Sequence, residues 1–257
     1  ILKHTSPEMR IKINGILQYP KDSAGSMMTT EYVDLRKDMT VQDAFTRIRR
    51  TGVDKETIYT CYVVNNNRML LGMVSVKDLL LHNYDDVIED IMEPNVIYAT
   101  TLEDQEHVAE QFSKYDFIAL PVVDMEQRLV GIITVDDAMD VMEQEATEDI
   151  EKMAAIMPTE KPYMKTSVFE TYKKRIPWLL LLMISATFTS MIIKHYEAAL
   201  ATAAILSAYI PMLMDTGGNA GGQVSVTVIR ALSLHDIEYS DVPAIIWKEL
   251  RVALCCG

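Results

Sequence analysis

The sequence has few cysteines, and they form none of the motifs that bind a metal or close a disulfide. The 257 residues include three cysteines, Cys61, Cys255 and Cys256. Neither a CxxC pair nor an HExxH motif occurs, which excludes a disulfide scaffold and a zinc site of the usual spacing. No nucleophile stands in a recognisable pattern with a general base, so we expect that the chain is not an enzyme.

Basic residues are scarce in the middle of the chain. Between residues 80 and 160 there are 21 acidic and three basic residues, a local net charge of −18, whereas the whole chain has a net charge of −13. Such a block repels itself in water unless cations neutralise it. Its sign is opposite to the one that nucleic-acid binding requires, so we expect no nucleic-acid partner.

Glycines are also few, and four of the ten lie within one short segment, PMLMDTGGNAGGQVSVTVIRA at 211–231. The segment contains no GK[ST], and its glycines do not fit GxGxxG. These absences exclude a phosphate-binding loop and a dinucleotide fingerprint.

Charged side chains are absent from two long stretches, Ile176–Ile193 and Ala198–Met214. About 20 apolar residues span a bilayer as a helix, so two such stretches in tandem predict membrane insertion. Basic residues at 173–175 and Arg230 flank them, which indicates a cytoplasmic N-terminal half. We predict a multi-pass protein of the cell membrane, with spans at about 176–194 and 198–230 and the start of a third at about 243–257.

Inside a bilayer, the glycine-rich segment suits helix packing and a polar pathway. Its glycines are spaced as small-xxx-small pairs, which let two helix backbones approach closely. Asp215, Asn219 and Gln223 follow each other at one-turn intervals and bring oxygen atoms that suit a hydrated hard cation. We also expect Pro211 and the glycines to loosen the helix. Alternatively, the glycines only pack helices and Asp215 lies at a membrane boundary.

A tandem repeat of about 60 residues occupies the region 23–150. Short β-branched runs alternate with amphipathic helical patterns in the order β-α-β-β-α, and Gly72 and Gly131 lie 59 residues apart. We expect Thr40 and Thr101 each to cap the helix that follows, because an acidic residue stands three positions later.

The repeat resembles a pair of cystathionine-β-synthase (CBS) domains. Their signature occurs twice, as GMVSVKD at 72–78 and GIITVDD at 131–137. The resemblance implies a regulatory module that can hold an adenine nucleotide between the repeats. In that interpretation the nucleotide site contains Ser75, Lys77, Asp78 and Phe117. The alternative is that these residues cap a helix and expose charge at the end of a strand.

The glycine-rich segment and the order of the domains resemble the MgtE-type magnesium channel/transporter family. The motif is YIPMLMDTGGNAGGQVSVTVIRAL at 209–232, and LQYPKDSAGSMMTTEYVDL at 17–35 is similar to the family's junction before its CBS pair. The resemblance implies a homodimeric channel with five spans, of which we expect the last two to lie outside this chain. Some members carry asparagine where this chain has Gly222. The implied pore residues are Asp215, Gly217, Gly218, Asn219 and Gln223.

The predicted fold is an α+β cytosolic CBS-domain pair joined by a long linker helix to an all-α transmembrane helical domain, truncated at both ends. We predict the end of an N-terminal helical domain at 1–22, CBS repeats at 23–85 and 86–145, an acidic linker helix at 146–175 and the transmembrane domain at 176–257.

The acidic block suggests a magnesium sensor. Its carboxylates around the end of the second repeat are spaced one helical turn apart, where like charges oppose each other. Mg²⁺ keeps most of its waters and takes one or two carboxylates, so several weak sites would respond to millimolar concentrations. The resemblance implies these metal positions: Asp104, Glu106, Asp116, Asp137, Asp140, Glu145, Glu148 and Asp149.

We therefore predict a Mg²⁺-gated channel or transporter that imports Mg²⁺ and closes when the acidic region binds intracellular Mg²⁺. Its ligands would be Mg²⁺ and, as a regulator, ATP or another adenine nucleotide. Two alternatives stay open: another CBS-regulated membrane protein for an anion or an osmolyte, and a soluble regulatory enzyme whose apolar half forms a core. An anion pathway would need basic residues or helix N-termini around the pore.

Overall fold

In the computed structural model, which describes residues 7–159, 163–202, 204–234 and 236–256, the chain divides into two units. The first, Ile1–Glu143, contains all the strands of the described residues, and the second, Gln144–Gly257, is helical. An α+β region is thus followed by a helical region, as predicted. Some residues of the predicted segments lie outside the described ones, namely 1–6, 160–162, 203, 235 and 257.

The first unit repeats the order β-α-β-β-α twice, as predicted. It opens with the helices α1 (Pro7–Ile16) and α2 (Ala24–Met27). The first repeat consists of β1 (Val33–Leu35), α3 (Val41–Thr51), β2 (Thr60–Val64), β3 (Leu70–Ser75) and α4 (Val76–Leu81). After the short helix α5 (Ile88–Ile91), the second consists of β4 (Ala99–Thr100), α6 (Gln105–Tyr115), β5 (Ala119–Val123), β6 (Leu129–Thr134) and α7 (Val135–Met153).

Each repeat builds its own three-stranded sheet, ordered β1-β2-β3 and β4-β5-β6. In both sheets the first strand is parallel to the second, and the second forms an antiparallel hairpin with the third. The register shifts between Val63 and Val64 in one copy and between Val122 and Val123 in the other. The two copies therefore share an irregularity as well as a topology.

The predicted helix caps hold in the first repeat and fail in the second. Thr40 caps α3 and forms a capping box with Asp43. The corresponding cap of α6 is Asp104, whose side chain accepts a hydrogen bond from the Glu106 amide. The expectation for Thr101 is therefore wrong, because the helix starts four residues later and Thr101 is buried with its amide bonded to Val123.

Backbone pairing that crosses between the repeats joins them. The amide of Thr29, before β1, donates to the carbonyl of Ile132 in β6 at 2.8 Å, and the Ile132 amide returns the bond at 2.9 Å. In the same way Glu93, before β4, and Met73 in β3 exchange hydrogen bonds of 2.8 and 3.0 Å. The segment that leads into each repeat thus extends the sheet of the other.

Gly72 and Gly131 lie at these two crossings, where no side chain fits. A Cβ atom on Gly72 would lie 2.9 Å from the carbonyl oxygen of Glu93, and one on Gly131 would lie 2.8 Å from that of Thr29. The glycine that recurs in the sequence signature is therefore required by the close approach of a second backbone.

An apolar cluster fills the space between the two sheets. Tyr32 spans it, because its buried hydroxyl donates to the carbonyl of Leu129 at 3.1 Å. The cluster draws on both repeats, with Tyr32, Tyr62 and Val64 from the first and Ala119, Leu129 and Ile132 from the second.

The predicted linker helix at 146–175 is not one helix. α7 ends at Met153, and Ala155 then takes a left-handed conformation with φ of 52°. Pro158 has no amide hydrogen with which to continue a helix. After a 3₁₀ turn, the next helix, α8 (Val168–His195), begins. The segment therefore contains the end of α7, a connection and the start of α8.

The second unit continues with α9 (Glu197–Thr202), α10 (Ala204–Ser233) and α11 (Val242–Cys256). Among the helices of the described residues, α8 alone is long and apolar enough to cross a membrane, with a mean hydropathy of 2.0 over 18 of its residues. The spans at 198–230 and 243–257 stay predictions. α10 runs through Pro211 and the four glycines without interruption, so the expected loosening of the helix is wrong.

We expect Gly131→Ala to destabilise the first unit, because the added Cβ must displace the backbone of the crossing segment. Overpacking of this kind costs about 1–3 kcal/mol. The matched control is Gly15→Ala in α1, where a Cβ meets nothing within 4 Å and helix propensity improves. Denaturant unfolding of the purified chain in detergent measures both. Equal unfolding free energies for the two variants would contradict the role of the crossing.

Candidate functional site

The predicted pore residues lie on α10, where their spacing brings two of them into contact. The side-chain amide of Asn219 donates to Oδ2 of Asp215 at 3.2 Å, across one turn of the helix. The two side chains therefore share a helix face, as the sequence spacing predicts. This contact joins a carboxylate to a neutral amide in the most polar part of an otherwise apolar helix.

An open groove of about 780 Å³ runs along α10. Three of the five predicted pore residues, Gly218, Asn219 and Gln223, line it, whereas Asp215 and Gly217 do not. Met153, the last residue of α7, also lines it. The end of the acidic helix α7 therefore lies against the segment predicted to form the pore.

The glycines of α10 leave one side of the helix without bulk. A Cβ atom placed on any of the four glycines would meet nothing within 4 Å in the described part of this chain, at Gly217, Gly218, Gly221 and Gly222. Small residues at such spacing allow a second helix to approach closely in a membrane. Among the described residues, none of the side chains that line the groove carries a positive charge. Its polar side chains, Asn219, Gln223 and Thr227, are all neutral.

Asp149 holds α7 to the C-terminal end of α10. The hydroxyl of Ser233 donates a short hydrogen bond to Oδ2 of Asp149, and Nη1 of Arg230 lies 3.7 Å from the same oxygen. Asp149 is 8% exposed. The predicted metal ligand Asp149 is therefore buried here with its charge matched by Arg230, and in the same turn Glu148 forms an ion pair with Lys152 at 2.8 Å.

Asp137, in the first turn of α7, has other acids as its charged neighbours. It is half-buried, and burial raises its pKa, with Asp136 and Asp140 raising it further; a hydrogen bond from the Thr134 hydroxyl opposes the shift. Asp140 is exposed one turn later. Because desolvation and like charge both disfavour the ionised form, a divalent cation at this place would relieve the repulsion.

Of the four remaining predicted metal positions, Glu145 is half-buried in α7, and the other three mark the two ends of α6. Asp104 caps its start and Glu106 lies in its first turn, while Asp116 ends it in a left-handed conformation with φ of 55°. Within the described ranges, no three acidic, histidine or cysteine side chains come close enough together to hold one metal ion. A hydrated Mg²⁺ needs only one or two carboxylates from the protein.

Two of the predicted nucleotide residues serve as a helix cap. The Ser75 hydroxyl donates to Oδ2 of Asp78 at 2.5 Å and accepts from the Asp78 amide at 3.0 Å, which closes a capping box at the start of α4. Lys77 between them is exposed. Phe117 is half-buried in an aromatic cluster, with its ring centroid 5.4 Å from that of Tyr115. The capping alternative is therefore confirmed for Ser75 and Asp78.

The contacts that join α7 to α10 were not predicted from the sequence. Arg230 was interpreted only as a marker of membrane topology, and neither Ser233 nor Met153 was a candidate. Asp149 and Ser233 are 84 residues apart, and no local pattern records such a pair. The sequence offers one indication, Arg230, a basic residue that follows the uncharged stretch 216–229.

Two family models match different parts of the chain. A CBS-domain model matches residues 24–84 and 88–144, and a divalent cation transporter (MgtE) model matches residues 210–257. The second match begins on α10 and includes the groove residues from Gly218 to Thr227.

Proteins named as magnesium transporters are similar to nearly the whole chain. It is 40% identical over 251 residues, 98% of its length, to the magnesium transporter MgtE of Thermus thermophilus, covering 56% of that protein. It is 37% identical over 94% of its length to the magnesium transporter MgtE of Bacillus subtilis, covering 53% of that protein. The chain thus spans about half the length of these relatives.

A solved structure is similar to about half of this chain. The cytosolic domain of the Mg²⁺ channel MgtE in complex with ATP is 45% identical, with a TM-score of 0.52, over 53% of this chain and 55% of that one. Over the length that it spans, the chain is therefore similar to the MgtE-type magnesium transporters, with a CBS-domain pair before a segment that matches the divalent cation transporter model.

Proposed function

We propose that this chain belongs to a homodimeric, multi-pass channel of the cell membrane that imports Mg²⁺ and is closed by intracellular Mg²⁺. One observation carries the proposal: Met153, at the end of the acidic helix α7, lines the same groove as Gly218, Asn219 and Gln223 of α10. A helix rich in carboxylates is thereby linked to the segment that would conduct the ion.

The acidic region would act as the sensor. With little Mg²⁺ inside the cell, its carboxylates repel each other and the cytosolic half is loosely held. At high Mg²⁺, hydrated ions between carboxylates favour the compact state. Ions that bind only that state bias the equilibrium by RT ln(1 + [L]/Kd) per site, so several weak sites together supply a few kcal/mol.

The pathway would select a cation through its charge and its oxygen atoms. Asp215 provides one carboxylate, and Asn219 and Gln223 provide neutral oxygens that can bond the waters around Mg²⁺. An inside-negative potential supplies about 2.3 kcal/mol per charge per 100 mV, and about twice that for a divalent ion. Import would therefore need no ATP hydrolysis, and a nucleotide would serve as a regulator.

A nucleotide would bind at the first repeat's signature. The proposal is supported by the related cytosolic domain that was solved in complex with ATP. Lys77 is exposed beside the capping box and can reach a phosphate, and Phe117 offers an aromatic ring for the base. Because Asp78 already bonds Ser75, its carboxylate would have to accept bonds from a ribose through its second oxygen.

Neutralising the sensor should leave the channel open at high Mg²⁺. We expect Asp137→Asn, Asp140→Asn and Glu145→Gln, combined in the full-length protein, to abolish the closure that Mg²⁺ causes, because three repelling charges are removed. Mg²⁺ flux into proteoliposomes, measured over a series of concentrations on the sensor side, tests this. The matched control removes three exposed acids of the first repeat, Asp38→Asn, Asp54→Asn and Glu56→Gln, and should close as the wild type does. Normal closure in the first variant would refute the sensor assignment.

Asp137→Asn alone should stabilise the first unit in chelator at neutral pH. A raised pKa means that the folded state binds the proton more tightly than the unfolded chain, so stability falls as pH rises from the unfolded value through the folded pKa. We expect a gain of about 0.5 kcal/mol, the size of a like-charge helical pair, and a smaller response to added Mg²⁺. Thermal unfolding measures both, with Glu56→Gln as control. A loss of stability in Asp137→Asn would contradict the assignment.

Lys77→Gln should weaken ATP binding by about tenfold or more, because a hydrogen bond to a charged group contributes about 1.5–3 kcal/mol. The capping box between Ser75 and Asp78 stays intact in this variant. Calorimetric titration measures the affinity, and Arg50→Gln, an exposed cation of α3, is the control. ATP affinities that are equal in wild type and Lys77→Gln would argue against a phosphate at this position.

A further inference from the structure

A second polar cavity lies in the first repeat, apart from every residue discussed so far as sensor, pore or nucleotide site. It has a volume of about 240 Å³ and follows the side of β1 up to the β2–β3 hairpin. The side chains that give it its chemistry are Tyr32, Asp34, Arg36, Lys55, Asn65 and Arg68.

The charge of this cavity is positive. Three basic side chains, Arg36, Lys55 and Arg68, line it, and among the described residues they face the single carboxylate of Asp34. That carboxylate is already neutralised, because Nη2 of Arg47 lies 2.7 Å from both of its oxygens. The cavity therefore keeps an excess of positive charge.

Hydrogen bonds hold two of the three cations in place. Nη2 of Arg68, a residue with φ of 63°, donates to the Tyr32 hydroxyl at 2.6 Å and to the Leu129 carbonyl at 3.1 Å. Nη1 of Arg36 donates to Oδ1 of Asn66 at 2.5 Å. Each guanidinium has five N–H donors, so donors are left over for a ligand. Lys55 is half-buried and has no ion pair among the described residues.

The charge of the cavity also differs from the charge of its surroundings. Residues 23–85 contain eight acidic and eight basic residues, whereas residues 86–145 contain 16 acidic and two basic residues. The cations are thus concentrated in the first repeat, and three of the eight converge on one cavity. In a chain of net charge −13 this is a local reversal of sign.

We propose that this cavity binds a small phosphate-bearing anion of the pyrophosphate class. Guanidinium groups match phosphate oxygens with paired hydrogen bonds, and a lysine adds a third, more mobile charge. The cavity offers little to a nucleobase, because Tyr32 is buried and its ring packs edge-on against Tyr62 with centroids 6.3 Å apart. Phosphate groups, free or at the end of a larger ligand, are therefore what it recognises. The inference is independent of Mg²⁺ gating.

Calorimetric titration of inorganic pyrophosphate into the purified chain in detergent, free of divalent cations and at fixed ionic strength, tests the proposal. The wild type should bind one pyrophosphate per chain. Arg36→Gln combined with Lys55→Gln should weaken binding by about tenfold or more. Arg49→Gln combined with Arg50→Gln changes the net charge equally at the exposed end of α3 and should leave the affinity within about twofold. Lys55→Arg, which keeps the charge, should retain binding, and circular dichroism checks that each variant is folded.

Three results would overturn the proposal. The first is an absence of pyrophosphate binding by the wild type. The second is an equal loss of affinity in the Arg49/Arg50 variant, which would mean that net charge and not the cavity attracts the anion. The third is a loss in Lys77→Gln as large as that in the Arg36/Lys55 variant, which would locate the phosphate beside the Ser75–Asp78 cap. A parallel titration with ATP shows whether the cavity binds the phosphates of a nucleotide or a free anion. If the phosphates of ATP lie in the cavity, the ATP affinity must fall in the Arg36/Lys55 variant. If the cavity binds only a free anion, the ATP affinity stays unchanged.

Discussion

The crossed backbone pairing between the repeats is the constraint on which the first unit depends. Thr29 bonds to Ile132 and Glu93 bonds to Met73, so each sheet is completed by the other repeat. The pairing brings together the residues of the shared apolar cluster and places the Arg68 guanidinium beside the carbonyl of Leu129. It demands glycine at 72 and 131 because a second backbone passes there. The basic cavity beside β1 and the start of α7 are both positioned by this joint.

Negative charge is concentrated between residues 80 and 160, but the carboxylates that carry it have different environments. Asp137 is half-buried next to other acids, so desolvation and repulsion both act on it. Asp149 is buried beside Arg230 and Ser233 and carries a charge that is already compensated. A divalent cation would therefore bind more favourably at Asp137 than at Asp149, whose charge is already compensated. Under the proposed gating, Asp149 acts first as a link between α7 and α10 and becomes a ligand only if that link opens.

Local signals predicted the repeat well and its connections poorly. Alternating apolar runs and the two GMVSVKD-like signatures indicated both β-α-β-β-α units, because strand and helix periodicity are written in neighbouring residues. The prediction that Thr101 caps α6 was wrong. A capping sequence is short, and a helix can start at another residue whose side chain offers an oxygen, here Asp104. The linker was predicted as one helix from its acidic pattern, although Pro158 argued against it, and the structure divides it at Ala155.

The residues of the chain alone indicate the resemblance to the MgtE-type family, the order of the domains, the acidic block and the polar part of α10, because each is carried by residues close together in sequence. Which of these residues meet is visible only in the folded chain. The fold places Met153 beside Gly218, Asn219 and Gln223, matches Asp149 with Arg230, and gathers Arg36, Lys55 and Arg68 around one cavity. Charge pairing and cavity shape depend on distances across the fold, and a linear pattern does not contain those distances.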